Sequence, residues 1–259
     1  MLSRRLIACL DVREGKLAKS VRFVDTIDIG DPIEKARQYY HDGIDELVFY
    51  DINASREERD IDIEFVEKVA AQIFIPFSVG GGIRSVEDAT RLRLAGAEKV
   101  NLNTAAVKRK ELITEIAGAI GSQSTVLSMD VRRVSITREI PSEYEIVIND
   151  GVTPTGIDAL RWARLGEELG AGELVVNSID TDGTKEGYEL ELTRMVADAV
   201  GVPVIASGGA GEPEHLYRAF TEGHADGAIV ASIIHYGEYS CRQLKEHLHN
   251  RSVKVRMNY

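Results

Sequence analysis

Eight short runs rich in Val, Ile and Leu recur along the chain, each followed by a polar or glycine-rich turn and then a segment of helical period. The runs occupy residues 6–12, 46–52, 75–79, 99–102, 125–131, 173–178, 204–206 and 228–230. Helical periodicity covers 32–42, 63–72, 86–95, 110–120, 157–169, 190–200 and 214–222. Several of these segments open on helix-start signals: Asp31-Pro32, Ser85 before Val86-Glu87-Asp88, and Pro213 between Glu212 and Glu214. Strands alternating with helices mean βαβ units and a parallel sheet. Eight such units in 259 residues predict an α/β fold, a single (β/α)8 TIM barrel over 1–259. A doubly wound open sheet is the competing arrangement.

Composition narrows the partners. The chain carries 31 Lys and Arg against 42 Asp and Glu, a net charge of -11, which argues against a nucleic-acid surface. Local phosphate sites remain open, because backbone amides make them without net positive charge. No apolar run reaches the roughly 18 residues of a membrane span, and the first residues read as a strand, not a signal peptide. The two cysteines, Cys9 and Cys241, form neither a disulfide framework nor a metal motif and fit a cytoplasmic setting.

The chain also resembles itself at half its length. Leu6-Ile-Ala-Cys-Leu-Asp11-Val matches Val126-Leu-Ser-Met-Asp130-Val, Glu46-Leu-Val matches Glu173-Leu-Val, Val79-Gly80-Gly81 matches Ser207-Gly208-Gly209, and Asn103-Thr104 matches Ala231-Ser232. Four landmarks in the same order predict two half-barrels, about 1–120 and 121–259.

In a barrel of this kind chemistry gathers at the C-terminal ends of strands. Asp11 and Asp130 end the first and fifth strands, opposite each other, and a matched pair of carboxylates suits acid and base work. Glycine-rich turns follow the third strand (Gly80-Gly81-Gly82) and the seventh (Gly208-Gly209-Ala210-Gly211). With Asn103-Thr104 and Ala231-Ser232 they predict two phosphate sites flanking the aspartates, and so a long substrate with a phosphate at each end. Asp180-Thr181-Asp182-Gly183 follows the sixth strand and either fixes hydroxyls or caps a turn; a calcium loop would need a helix before it. Lys19 sits in a long first loop of the sort that covers a ligand. Arg5, Glu46, Lys99 and Glu173 stand at strand beginnings, where charges are ordinarily solvated.

These residues are similar to a known family, the cyclase subunit of imidazole glycerol phosphate synthase in histidine biosynthesis. The resemblance runs through Arg4-Arg5-Leu-Ile-Ala-Cys-Leu-Asp11-Val, Gly30-Asp31-Pro32, Asp45-Glu46-Leu-Val-Phe-Tyr-Asp51-Ile, Val79-Gly-Gly-Gly-Ile83, Lys99-Val-Asn-Leu-Asn103-Thr104-Ala-Ala, Ser178-Ile-Asp180-Thr-Asp182-Gly183-Thr and Ala206-Ser-Gly-Gly-Ala-Gly211. It implies a barrel that adds ammonia to a bisphosphorylated substrate and releases imidazole glycerol phosphate and aminoimidazole carboxamide ribonucleotide, with no metal or cofactor. It implies Asp11 and Asp130 as the acid/base pair and Lys19 on the covering loop. Gly82, Asn103 and Thr104 then hold one phosphate, and Asp182, Gly183, Gly209, Ala231 and Ser232 the other. Arg5, Glu46, Lys99 and Glu173 become a charged gate for ammonia from a glutaminase docked on the N-terminal face. The chain departs from the family pattern at Lys19-Ser20, at Val21-Arg22-Phe23 and in the loop Asn149-Asp150-Gly151-Val152-Thr153-Pro154-Thr155-Gly156. Gly121-Ser-Gln-Ser124, Met129-Asp-Val-Arg-Arg133 and Val176-Asn177-Ser178 look like a paralogous branch that amidates sugars for surface polysaccharides, which is the alternative function.

Overall fold

The computed structural model describes residues 2–13, 15–21, 24–52 and 62–257, with the side chains of 18–21 and 24–29 left outside the description. Eight parallel strands close into a barrel: β1 (Arg5–Arg13), β4 (Glu46–Asp51), β5 (Phe77–Gly80), β6 (Lys99–Leu102), β7 (Thr125–Arg133), β10 (Glu173–Ser178), β11 (Val204–Ser207) and β12 (Gly227–Val230). Pairing of β12 with β1 and of β7 with β10 completes the ring, so the open sheet is ruled out. Each strand lies within a residue or two of the apolar run that predicts it.

Helices Pro32–His41, Ile63–Ala70, Val86–Leu94, Glu111–Ile120, Ala159–Glu168, Leu190–Ala197, Pro213–Thr221 and Cys241–Asn250 surround the barrel. Their starts follow local chemistry. Asp31 accepts from the amides of Ile33 and Glu34, with Pro32 opening the helix; Ser85 with Asp88, and Ser240 with Gln243, form capping boxes. The main apolar cluster fills the layer between sheet and helices. A separate small cluster, Ile7, Cys9, Val48, Val126, Val175, Ile205 and Ile229, fills the barrel itself.

Two hairpins were not expected from the sequence. β1 runs on into antiparallel β2 (Lys16–Val21) and β3 (Val24–Gly30), and β7 into antiparallel β8 (Tyr144–Ile148) and β9 (Thr153–Asp158). β1 and β7 are the first strands of the two halves, so the repeat extends to these outgrowths.

A finer repeat holds the barrel floor. The amides of Asp45, Glu98 and Asp226 donate to the carbonyls of Leu6, Phe77 and Val204. The side chains of the same three acids accept the amides of those same residues at 2.9, 3.0 and 3.2 Å. Each clasp ties the start of one strand to the start of its neighbour with a charge-assisted bond. At the fourth equivalent position Gly172 donates to the Thr125 carbonyl but has no side chain to return the bond. A Cβ there would overlap the carbonyl of Ser122. Gly172→Asp, which formally completes the pattern, is therefore expected to lower stability by about 1–3 kcal/mol in urea denaturation, since overpacking against backbone outweighs one new hydrogen bond.

Candidate active site

Side chains alternate between the two faces of a strand, so every second residue faces the barrel interior. Membership of the inner cluster fixes which. Reading upward, β1 presents Arg5, Ile7, Cys9 and Asp11; β4 presents Glu46, Val48 and Tyr50. β6 presents Lys99 and Asn101, with Asn103 just beyond it; β7 presents Val126, Ser128 and Asp130; β10 presents Glu173, Val175 and Asn177. Six residues at about 3.3 Å each place Asp11 some 20 Å above Arg5.

The lowest storey is a closed ring of charge. Arg5 meets Glu46 at 2.7 Å and Glu173 at 2.5 Å, while Lys99 meets Glu46 at 2.8 Å and Glu173 at 2.9 Å. Both carboxylates are buried, so these are not the solvated charges that strand beginnings ordinarily carry. Burial by itself lowers the Arg5 pKa, but Glu173 and Glu46 outweigh it and hold the guanidinium above its usual range.

The top storey carries the aspartates on opposite walls. Asp130 Oδ2 accepts the side-chain amide of Asn103 at 2.7 Å, and its Oδ1 that of Asn177 at 2.9 Å. Burial pushes the Asp130 carboxyl up to about 6; the two amides pull it down, and Asp182 and Asp150 push it further up. Asp11 pairs in register with Tyr50 and accepts the Cys9 thiol at 3.4 Å. Asn177, which has no role assigned from the sequence, pairs in register with Asp130 as Tyr50 does with Asp11. The usable signal was a polar residue two places above Val175 on the inward face.

Two cradles flank the aspartates. Gly81 and Gly82 (φ 95° and 70°) follow β5, and Gly208 and Gly209 (φ 88° and 104°) follow β11. Glycine is required at Gly208, where a Cβ would lie 2.7 Å from the Ser178 carbonyl, and a Cβ at its counterpart Gly81 would overlap the Asp51 carbonyl. The next strand of each half ends in a short helix, Thr104–Lys108 or Ser232–His235. The residues before them share an uncommon backbone: φ -142°, ψ -100° at Asn103 and φ -138°, ψ -86° at Ala231. Neither caps its helix with a side chain, which leaves first-turn amides for an anion. Thr104 Oγ accepts the amide of Asn149 at 3.1 Å, so the β8–β9 turn rests on the first cradle.

The remaining candidates lie nearby in unequal roles. The amide of Asp182 donates to the Ser178 carbonyl, and Gly183 takes a positive φ of 72°. Asp180 is exposed and accepts the Arg133 amide at 2.8 Å, tying its loop to the end of β7. The backbone of Lys19 pairs with Ile27 in the first hairpin, and its side chain lies outside the described residues. Among the described residues no three His, Cys, Asp or Glu side chains are grouped to hold a metal.

Fold and site together define a parallel eight-stranded barrel with two carboxylates at its mouth between two like-built, glycine-rich turns. A family model described as "Histidine biosynthesis protein" matches residues 5–240, and the chain belongs to that family. The imidazole glycerol phosphate synthase subunit HisF of Desulfovibrio desulfuricans is 60% identical over 259 residues, all of both chains. The protein of the same name from Solidesulfovibrio magneticus is 59% identical over 99% of each chain, and that from Syntrophobacter fumaroxidans 54% over 100% of each.

A carboxyl raised to about 6 is partly protonated in the native state where the unfolded chain is ionised. Its contribution to stability is therefore lost as pH rises from about 4 to about 6. Asp130→Asn is expected to gain stability over the native chain by about 2–3 kcal/mol at pH 7 and by little at pH 4. Parallel urea titrations at the two pH values check this; equal differences at both would refute the raised carboxyl.

Proposed function

We propose that the chain is the cyclase subunit of an imidazole glycerol phosphate synthase. It joins ammonia to a substrate with a phosphate at each end and releases imidazole glycerol phosphate and aminoimidazole carboxamide ribonucleotide. The observation that carries this reading is the pairing of Asp11 and Asp130 between two like-built cradles, above a floor closed by Arg5, Glu46, Lys99 and Glu173. The relatives lend nothing to the sugar-amidating alternative. Gly82, Asn103 and Thr104 take one phosphate; Asp182, Gly183, Gly209, Ala231 and Ser232 take the other. Lys19 lies on the covering hairpin, and Asp180 supports the second cradle.

The two aspartates divide the proton work. Ammonia attacks as the neutral molecule, and its nitrogen must shed protons as C–N bonds form. Both oxygens of Asp130 already accept N–H bonds, which holds it ionised, while burial makes it more basic than an ordinary carboxylate. It serves as the base, and Asp11 returns protons from the opposite wall.

The subunit naming of the relatives fits a partner that supplies ammonia. We place this glutaminase on the N-terminal face. Phe74, just before β5, and Leu94, just before β6, are 81% and 83% exposed at that end of the barrel. Cys9 and Cys241 are buried and not joined in a disulfide, in keeping with a cytoplasmic setting.

Turnover of the bisphosphate with ammonium salt at high pH, with no partner present, is the deciding experiment; no product would overturn the assignment. Asp130→Asn is expected to slow that reaction by about 10²–10⁴-fold. Phe74→Asp with Leu94→Asp is expected to abolish co-elution with the glutaminase while ammonium-driven turnover persists. An intact complex would remove this face from the reading.

A further inference from the structure

Between the apolar filling of the barrel and the aspartates lies a polar storey that neither the fold nor the acid/base pair requires. It consists of Tyr50 on β4, Asn101 on β6 and Ser128 on β7. The Ser128 hydroxyl donates to Asn101 Oδ1 at 3.2 Å. The Tyr50 hydroxyl lies 3.2 Å from Ser128 Oγ and 3.5 Å from Asn101 Oδ1. Gly80 makes room for the tyrosine: a Cβ there would stand 2.6 Å from its ring. Burial pushes the Tyr50 phenol far above its usual range, so it stays neutral.

The hydrogen-bond inventory of this storey does not close. Two hydroxyl protons serve three contacts, and with the shorter pair made the Tyr50 oxygen is left with accepting capacity. Asn101 is 4% exposed, and its Nδ2 has no hydrogen-bond partner among the described residues. Two residues further up the same column, Asn103 gives its amide to Asp130, but its Oδ1 is likewise buried without a partner among the described residues. Each amide is matched at one end only, and a buried donor or acceptor left unmatched is destabilising. The orphaned donor and the orphaned acceptor follow each other upward toward Asp130.

We propose that Asn101, Tyr50, Ser128 and the Asn103 carbonyl form a binding station for one molecule of neutral ammonia beneath the reacting carbons. This rests on the ammonia-using reading above. Ammonia has one lone pair and three N–H bonds. The lone pair accepts from Asn101 Nδ2, and N–H bonds reach the Tyr50 oxygen and Asn103 Oδ1. Ammonium has no lone pair with which to accept from Asn101 Nδ2 and leaves that donor unmatched. The station therefore selects the nucleophilic form and hands it upward beside the base.

The test uses the complex with its glutaminase. The Michaelis constants for ammonia and for the bisphosphate are measured separately in ammonium-driven turnover, together with glutamate released per product in glutamine-driven turnover. Asn101→Leu is expected to raise the ammonia KM about tenfold, the equivalent of one hydrogen bond, with the bisphosphate KM within twofold of native. Tyr50→Phe keeps the ring and loses one acceptor; it is expected to raise the ammonia KM about threefold, and it carries the test if the leucine variant does not fold. Both variants are expected to release more than the native amount of glutamate per product. An unchanged ammonia KM overturns the station, and so does a parallel rise in both constants. Failure of the native complex to use ammonium at all is a different result, and it overturns the functional reading itself.

Discussion

Closure of the sheet is the constraint on which the rest depends. Once β7 pairs with β10, eight strands enclose a space that only every second side chain can enter. Each strand then becomes a column read from floor to mouth, and a residue's place in its column sets its storey. Charges fall at the floor, aliphatic side chains above them, amides and hydroxyls next, and carboxylates at the top. The clasps of Asp45, Glu98 and Asp226 work at this level, because they set where neighbouring columns begin. Asp45 stands between Arg5 and Glu46 in this respect: it binds the amide just after one and directly precedes the other. The buried Lys245 ammonium in turn holds Asp45 at 2.6 Å, so the last helix helps to place the floor ring.

The floor ring is an expensive way to close a barrel. Removing two carboxylates and two cations from water costs several kcal/mol per ion, and apolar side chains of equal size commonly do the same job as well or better. Its alternation of sign satisfies every charge, yet nothing in the fold calls for charge there. A closure made of paired ions differs from an aliphatic plug in one useful respect: its contacts are discrete and can exchange partners. On the function proposed above, that property suits a passage for ammonia.

Much of this was legible in the sequence, and the exceptions share a cause. Barrel strands are covered on both faces, so they appear as continuous apolar runs. The floor and top residues were found because charge interrupts those runs at their ends. The β2–β3 and β8–β9 hairpins lie beyond the sheet–helix sandwich; β9 is largely exposed, so no apolar run announces it. Asn177, Asn101 and Ser128 are not legible in the sequence for the opposite reason. A polar residue within an apolar run is ambiguous until the inward face is known, and that depends on register. On the residues alone the floor charges look solvated, because nothing in one strand shows that its charge meets another three strands away.

The two-fold repeat bears on how one barrel mouth holds two unlike carboxylates. The cradles stayed alike, down to the backbone angles at Asn103 and Ala231 and the glycines packed on the ends of β4 and β10. The surroundings of the aspartates diverged. Asp11 has a phenol beside it in register, where Asp130 has an amide; Asn103 reaches across to Asp130, while its counterpart Ala231 has nothing to offer Asp11. Asp130 is thus bracketed by the side-chain amides of Asn103 and Asn177, each from a neighbouring strand. On the function proposed above, a substrate with a phosphate at each end is met by like cradles, whereas a proton passed between the walls is served by walls that differ. The repeat is kept in the backbone of the two glycine-rich turns and short helices, and broken in the side chains around the aspartates.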